Sequence, residues 1–157
     1  MSRAVEAATV VPLSPEHARG LWTDLERWPS FVEGFGHLAE VRGEWPERGA
    51  TVVWNSTPGG RGQVTEKVTD DSLRRFATKI SEEALQGEQS AAFVGAEDGV
   101  TRVELRIDYE LSQCGPFQAM SDRLFIRRAL RDALERTLRR YAAEAAPAAR
   151  RCGRTPR

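Results

Sequence analysis

Residues 102–111 read RVELRIDYEL, and one side of that segment is apolar throughout. Val103, Leu105, Ile107, Tyr109 and Leu111 alternate with Arg102, Glu104, Arg106, Asp108 and Glu110. Successive side chains of a strand point to opposite faces, so this period of two predicts an antiparallel strand with one buried face and one wet face. A strand of this kind cannot stand alone. Its apolar face needs a sheet around it and a second layer over it.

The second layer comes next in the chain. Gly115–Pro116 gives a sharp entry into one long helix, predicted over Phe117–Ala143. Ile126, Leu130, Ala133, Leu134, Thr137, Leu138 and Tyr141 form one stripe, with Arg128, Arg131, Asp132, Glu135, Arg136 and Arg139 opposite. Pro147 is expected to end any helix before it, and residues 146–157 read as a disordered basic tail.

The sheet is found upstream. AVEAATVVPL (Ala4–Leu13) reads as a first strand. Ser14 then caps a helix with Pro15 at its first position, and Ala18, Leu21, Trp22 and Leu25 give it one apolar face. Trp28–Pro29 breaks that helix, because proline disfavours helical geometry in the residue before it. Pro29 starts a second short helix, PSFVEG, so the two form a V. Six strands follow: GHLAEVRG, ATVVWNS, GQVTEKVTD, LRRFATKIS, EQSAAFVG and VTRVELRIDYEL, with PGGRG, DDS and EDG among the turns between them. A seven-stranded antiparallel sheet must cover its apolar face, and only the terminal helix has the area to do so. Sheet twist lets the strands curl around it, with the V closing the open end.

Three segments carry a family resemblance. VPLSPEHARGLWTDLERWPSF, FVGAEDGVTRVELRIDYEL and GPFQAMSDRLFIRRALRDALERTLRRYAAE resemble, in that order, the opening, closing hairpin and final helix of the START/SRPBCC superfamily, in its polyketide cyclase/dehydrase-like branch with coenzyme Q-binding relatives. The resemblance covers about residues 4–145, and it implies an α+β helix-grip fold: a seven-stranded curved antiparallel sheet wrapped around a long C-terminal helix, with two short helices after the first strand. One START-like domain over 1–145 is expected. The family also implies a cavity between sheet and helix that accepts an apolar small molecule or lipid, with carriers, sensors and cyclases among its members. Aromatase-type cyclases carry a tryptophan and a glutamine in the last strand. Here VELRIDYEL has neither, which speaks against that particular chemistry.

Alternation then names the inward residues. From the strands these are Val64, Glu66 and Val68, then Phe76, Thr78 and Ile80, then Gln89, Ala91 and Phe93, and finally Val103, Leu105, Ile107 and Tyr109. The terminal helix adds Phe117, Met120 and Leu124, and the V adds Trp28, Phe31 and Phe35. Of these, Trp28, Phe31, Phe35, Phe76, Thr78, Phe93, Ile107, Tyr109, Phe117, Met120 and Leu124 are the candidate ligand contacts. Apolar walls with a few polar groups suit a small-molecule pocket; the plainer alternative is that the same residues fill a core.

Glu66, Tyr109 and Arg127 break the apolar pattern and are the catalytic candidates. A carboxylate and a tyrosine inside could move protons in an aldol-type cyclisation. Against this stand an edge position for Glu66 and a helix-rim position for Arg127, where its stem packs and its head stays wet.

Other chemistry is absent from the pattern. The two histidines, His17 and His37, form no metal motif, and no P-loop, nucleophile elbow or dinucleotide fingerprint occurs, so neither metal nor cofactor is expected. Cys114 and Cys152 lie far apart and read as reduced thiols of a cytoplasmic protein; Asn55-Ser-Thr is a chance acceptor motif. No run of about 18 apolar residues predicts a membrane span. Net charge is zero but uneven: residues 115–157 carry eleven arginines and four acids, leaving +7 there and −7 on residues 1–114. Such an end could dock an acidic carrier protein, or it could be a solvated helix face. Exposed aromatics do not interleave with these arginines, so nucleic acid is not expected. Three readings stay open: a binding protein for an apolar small molecule or lipid; a polyketide cyclase or dehydratase fed by a carrier protein; and a module that acts through its basic end. The ligand and the oligomeric state are not legible.

Overall fold

The structure, a computed structural model, describes residues 3–112 and 119–153; over 119–123 the description covers the backbone only. β1 spans Arg3–Val11, α1 Pro15–Thr23 and α2 Trp28–Phe31. The remaining strands are β2 (Phe35–Arg42), β3 (Thr51–Ser56), β4 (Gln63–Asp71), β5 (Arg75–Ser81), β6 (Leu85–Glu97) and β7 (Val100–Leu111), and α3 runs Ala119–Cys152.

The seven strands make one antiparallel sheet in the order β1-β7-β6-β5-β4-β3-β2. β2 to β7 form a meander of hairpins, and β1 pairs with β7, placing Val5 opposite Ile107 and Val11 opposite Thr101. The V of α1 and α2 therefore carries the chain from one edge of the sheet to the other. The turn at Asp98–Gly99 closes the last hairpin, and Gly99 supplies the positive φ of 72° it needs.

The predicted alternation is visible in burial. Along β7, Thr101, Val103, Leu105, Ile107 and Tyr109 are buried while Arg102, Glu104 and Arg106 are exposed. The wet face carries ion pairs of Arg106 with Glu6 and Asp108, and of Arg75 with Asp70 and Glu88. The dry face meets α3, whose inward stripe is Leu130, Leu134, Thr137, Leu138, Tyr141 and Ala145. Ser14 caps α1 by accepting from the His17 amide at 3.3 Å, as its position after the strand predicts.

Two expectations change here. α3 does not stop before Pro147 but continues to Cys152, so residues 146–152 are helical rather than a disordered tail. Proline costs a helix one amide hydrogen bond, but Ala145 is buried and Ala148 and Ala149 pack against the core, which gives this last stretch a tertiary anchor. The other change concerns the first turns of α3. Among its described side chains, which start at Leu124, Leu130 is the first that is buried, and Leu124 and Arg127 are exposed. Leu124 lies about 100° around the helix from the inward stripe. Arg127 has a nearly inward direction, but sits a turn too early, before the helix is covered. Neither faces the interior.

Candidate functional site

A cluster of aromatic side chains packs between sheet and helix. At one end Trp22 and Phe31 each pack against Tyr141 with ring centroids 5.4 Å apart. Next to them Trp28 meets Trp45 at 5.6 Å and Phe35 at 6.2 Å, Phe35 stacks on Trp54 at 5.3 Å, and Trp45 meets Phe76 at 5.5 Å. Two of the indole N–H groups turn back onto α1: Trp28 donates to the Trp22 carbonyl at 2.9 Å and Trp45 to the Thr23 carbonyl at 2.8 Å. The Trp28–Pro29 break in the first helical segment thus lets Trp28 turn back onto α1 and inward onto the aromatic cluster.

A cavity of about 50 Å3 remains. Its walls come from every layer: Trp22, Trp28, Val32 and Glu33 from the V and its exit, Trp54 from β3, Glu66 from β4, Gln89 from β6, Leu105 and Ile107 from β7, and Leu130, Ala133, Leu134 and Thr137 from α3. Arg61, in the loop between β3 and β4, completes it. A volume of this size holds a few waters, since one needs roughly 10–15 Å3. A drug-sized ligand requires roughly 300–1,000 Å3. The hollow implied by the resemblance exists in the expected place, but it is small; Trp54 on its wall and Trp45, which packs on Trp28 and Phe76 beside it, were not placed by the alternation argument.

Glu66 is the chemical centre of this cavity. It is 5% exposed. One carboxyl oxygen accepts from Trp54 Nε1 at 3.0 Å and the other from Thr78 Oγ1 at 2.9 Å. Register explains the arrangement: Glu66 pairs with Val52 on one side and Ile80 on the other, so Trp54 and Thr78 each stand two residues along on the same inner face. Burial pushes the Glu66 carboxyl above the usual glutamate range, while both hydrogen bonds and the nearby Arg61 guanidinium pull it back.

Arg61 ties this group to the surface. Its guanidinium lies 5.6 Å from the Trp54 ring centroid, and its Nε donates to Glu82 at 2.5 Å. The Glu82 side chain is only 4% exposed, and burial raises its pKa too, against the pull of Arg61. Arg61 Nη2 is buried and has no hydrogen-bond partner among the described residues. The pair joins the β3–β4 loop to the turn between β5 and β6 across the cavity's end.

The predicted contacts divide as follows. Trp28, Ile107 and Glu66 line the cavity. Phe31, Phe76, Thr78, Phe93 and Tyr109 are buried and Phe35 is half-buried, but they stand behind the wall rather than on it. Phe93 lies on the part of the sheet that α1 covers, and the Tyr109 hydroxyl is buried with no partner among the described residues. The side chains of Phe117 and Met120 fall outside the described residues. Leu124 and Arg127 face solvent, so the arginine of the cavity is Arg61 instead. Arg61 was readable only as part of the glycine-rich turn PGGRG, which has no periodicity to indicate direction. Among the described residues no cluster of three or more histidine, cysteine, aspartate or glutamate side chains could hold a metal ion.

A sheet that grips one C-terminal helix, crossed by two short helices and holding a cavity between the layers, is the architecture of START-like domains. The chain belongs to the polyketide cyclase/dehydrase and lipid transport family, whose model matches residues 2–146. Solved structures agree at low identity. A protein of Thermus thermophilus is 22% identical with a TM-score of 0.73, over 93% of this chain and 99% of that one. A START superfamily protein from Mycobacterium smegmatis is 14% identical with a TM-score of 0.74, over 92% and 97%. The Zhui aromatase/cyclase from Streptomyces sp. R1128 is 16% identical with a TM-score of 0.72, over 99% and 98%. At such identities these neighbours share the fold. No curated protein matches the sequence.

Proposed function

We propose that this domain binds an apolar small molecule or lipid between its sheet and α3, and that Glu66 and Arg61 read a polar group on it. The observation that carries this is the buried Glu66 carboxyl on an otherwise largely apolar wall. Burying an ionisable group costs several kcal/mol by the general scale, and a domain that needed only a core would fill the position with valine or isoleucine, as β4 does at Val64 and Val68. The ligand enters by displacing side chains at the Arg61 end, where the wall is a loop and an ion pair rather than sheet. The site of action in this reading is the cytoplasm; no described helix is long and apolar enough to cross a membrane.

The test is binding of the neutral fluorescent probe N-phenylnaphthylamine, alongside native mass spectrometry of protein isolated from its own host. Ile107→Arg puts a charge into the cavity and is expected to abolish probe fluorescence while the fold, followed by circular dichroism, survives. Undiminished binding by this variant removes the cavity from the account.

A second reading is favoured by the pairing of a carboxyl with a guanidinium. In a polyketide cyclase or dehydratase, ionised Glu66 takes a proton from a methylene between two ketones. Arg61 Nη2 steadies the enolate oxygen, the carbanion attacks a second carbonyl of the same chain, and Glu66 returns the proton to the resulting alkoxide. An acidic carrier protein would deliver the chain to the basic helix. In that case Glu66→Gln loses turnover and keeps ligand binding; equal loss of both leaves Glu66 a binding group only.

A further inference from the structure

Leu124 and Phe125 are 76% and 74% exposed, higher than any other large apolar side chain described. They are adjacent on the first turns of α3. Around them, in the run LFIRRALR, stand three exposed arginines, Arg127, Arg128 and Arg131, and no acid. Among the described residues the ion pairs of α3 lie further along: Arg136 and Arg140 face Glu33, and Glu144 faces Arg27. Arg127, Arg128 and Arg131 take part in none of the ion pairs found among the described residues.

The fold places this patch at the open end of the molecule. β7 ends at Leu111 beside the start of β6 at Leu85, and the β3–β4 and β5–β6 turns, which carry Arg61 and Glu82, lie at that same end of the sheet. α3 begins there and runs back toward α1, which it meets where Tyr141 bonds Ala18. Leu130, which lines the cavity, follows Phe125 by five residues, or about 8 Å along the axis.

We propose that the first turns of α3 dock this domain onto an anionic membrane surface, from which the cavity takes its ligand. This rests on the apolar-ligand reading given above. Two exposed apolar side chains and three exposed guanidinium groups share little more than two turns of helix. A bilayer interface accepts both at once, apolar tips among acyl chains and arginines among phosphates. The charge at the patch is locally basic: Arg127, Arg128 and Arg131 follow the two apolar side chains and are drawn to an anionic surface. Glu110 is exposed on β7, whose charged side chains face the outer side of the sheet, so contact through the helix keeps it clear.

The experiment is co-sedimentation of the full chain with vesicles of phosphatidylcholine alone or with phosphatidylglycerol added. Binding is expected only with the anionic lipid, and it should fall as salt rises. Leu124→Ser with Phe125→Ser should weaken it by at least about tenfold. Each of Arg127→Gln, Arg128→Gln and Arg131→Gln should cost about fivefold. All five positions are exposed, so the variants should fold, and N-phenylnaphthylamine uptake from solution should be unchanged. Ile107→Arg should do the reverse, losing the probe and keeping the vesicles, which separates failure of docking from failure of the cavity. Failure to bind anionic vesicles, or binding indifferent to these substitutions, overturns the proposal. So does capture of an acidic carrier protein through the same arginines when vesicles are ignored.

Discussion

The two ends of the space beneath the sheet are built to different rules. At the α1 end, Tyr141 donates to the Ala18 carbonyl at 2.5 Å, Trp28 donates to the Trp22 carbonyl, and the rings of Trp22, Phe31 and Tyr141 close on one another. The Tyr141 hydroxyl and the Trp28 indole each have their donor matched to a carbonyl close by. Burial raises the Tyr141 phenol well above its usual range, so it stays a donor at any working pH. At the β3–β4 loop end, two buried carboxyls meet a half-buried guanidinium, one of whose nitrogens is buried with no partner among the described residues. The first end holds the fold. The second keeps bonding capacity in reserve, and in a closed interior reserved capacity is what a ligand can use.

The largest effect should come from breaking the sealed end. Phe31→Ala removes a fully buried ring and is expected to cost about 3–5 kcal/mol in chemical denaturation, because Tyr141 beside it is held by its hydrogen bond to Ala18 and Trp22 is packed against Tyr141, so neither collapses into the gap. A loss below about 1 kcal/mol would mean that this end is not the anchor. Next comes the ion pair at the open end. Arg61→Met leaves the Glu82 carboxyl buried without its partner, while Arg61→Met with Glu82→Gln removes both charges. The single variant should lose stability, and the double variant should recover a substantial part of it. A double variant no better than the single one shows that Arg61 acts through its packing on Trp54 and not through charge.

The sequence made one of these ends far more legible than the other. The inner faces of β4, β6 and β7 could be read by alternation, β5 by its larger residues Phe76, Thr78 and Ile80 although Ala77 between them is also buried, and Glu66 stood out because it interrupts Val64 and Val68. β3 does not alternate: Val52, Val53 and Trp54 are buried in succession. Periodicity therefore could not give Trp54 a direction, although Trp54 is a donor to Glu66. Trp45 lies in a loop between β2 and β3 and packs inward through tertiary contacts alone. Arg61 follows two glycines in a turn and signalled flexibility rather than burial. On α3, seven-residue steps back from Tyr141 and Leu134 reach Arg127 with nearly the right angle, but an angle says nothing about where the covering layer ends. Pro147 misled in the other direction: the local rule ends a helix there, and packed alanines carry it on. What escaped the sequence was in each case set by neighbours distant along the chain.

The smallest expected effect is the sharpest about the open end. Because burial raises the Glu66 carboxyl above its value in the unfolded chain, the proton binds more tightly in the folded state. At a pH below the ordinary glutamate value both states are protonated and the position costs nothing. As pH climbs through the raised folded value the unfolded chain has already released its proton, the folded one must ionise in a dry site, and stability falls. Glu66→Gln mimics the neutral carboxyl, keeps an acceptor for Trp54 and lets Thr78 reorient. The variant should therefore match the parent at acid pH and melt higher than it toward neutral and alkaline pH. Each kcal/mol of relief would read as about 2–4 °C for a chain of this size. Glu82 is raised in the same direction, in part by the charge of Glu66 itself, so the variant also eases Glu82 and the two effects add in the same sense. If the variant instead melts lower at alkaline pH, Arg61 already satisfies an ionised Glu66, and the reserve of bonding capacity attributed to this end is spent before any ligand arrives.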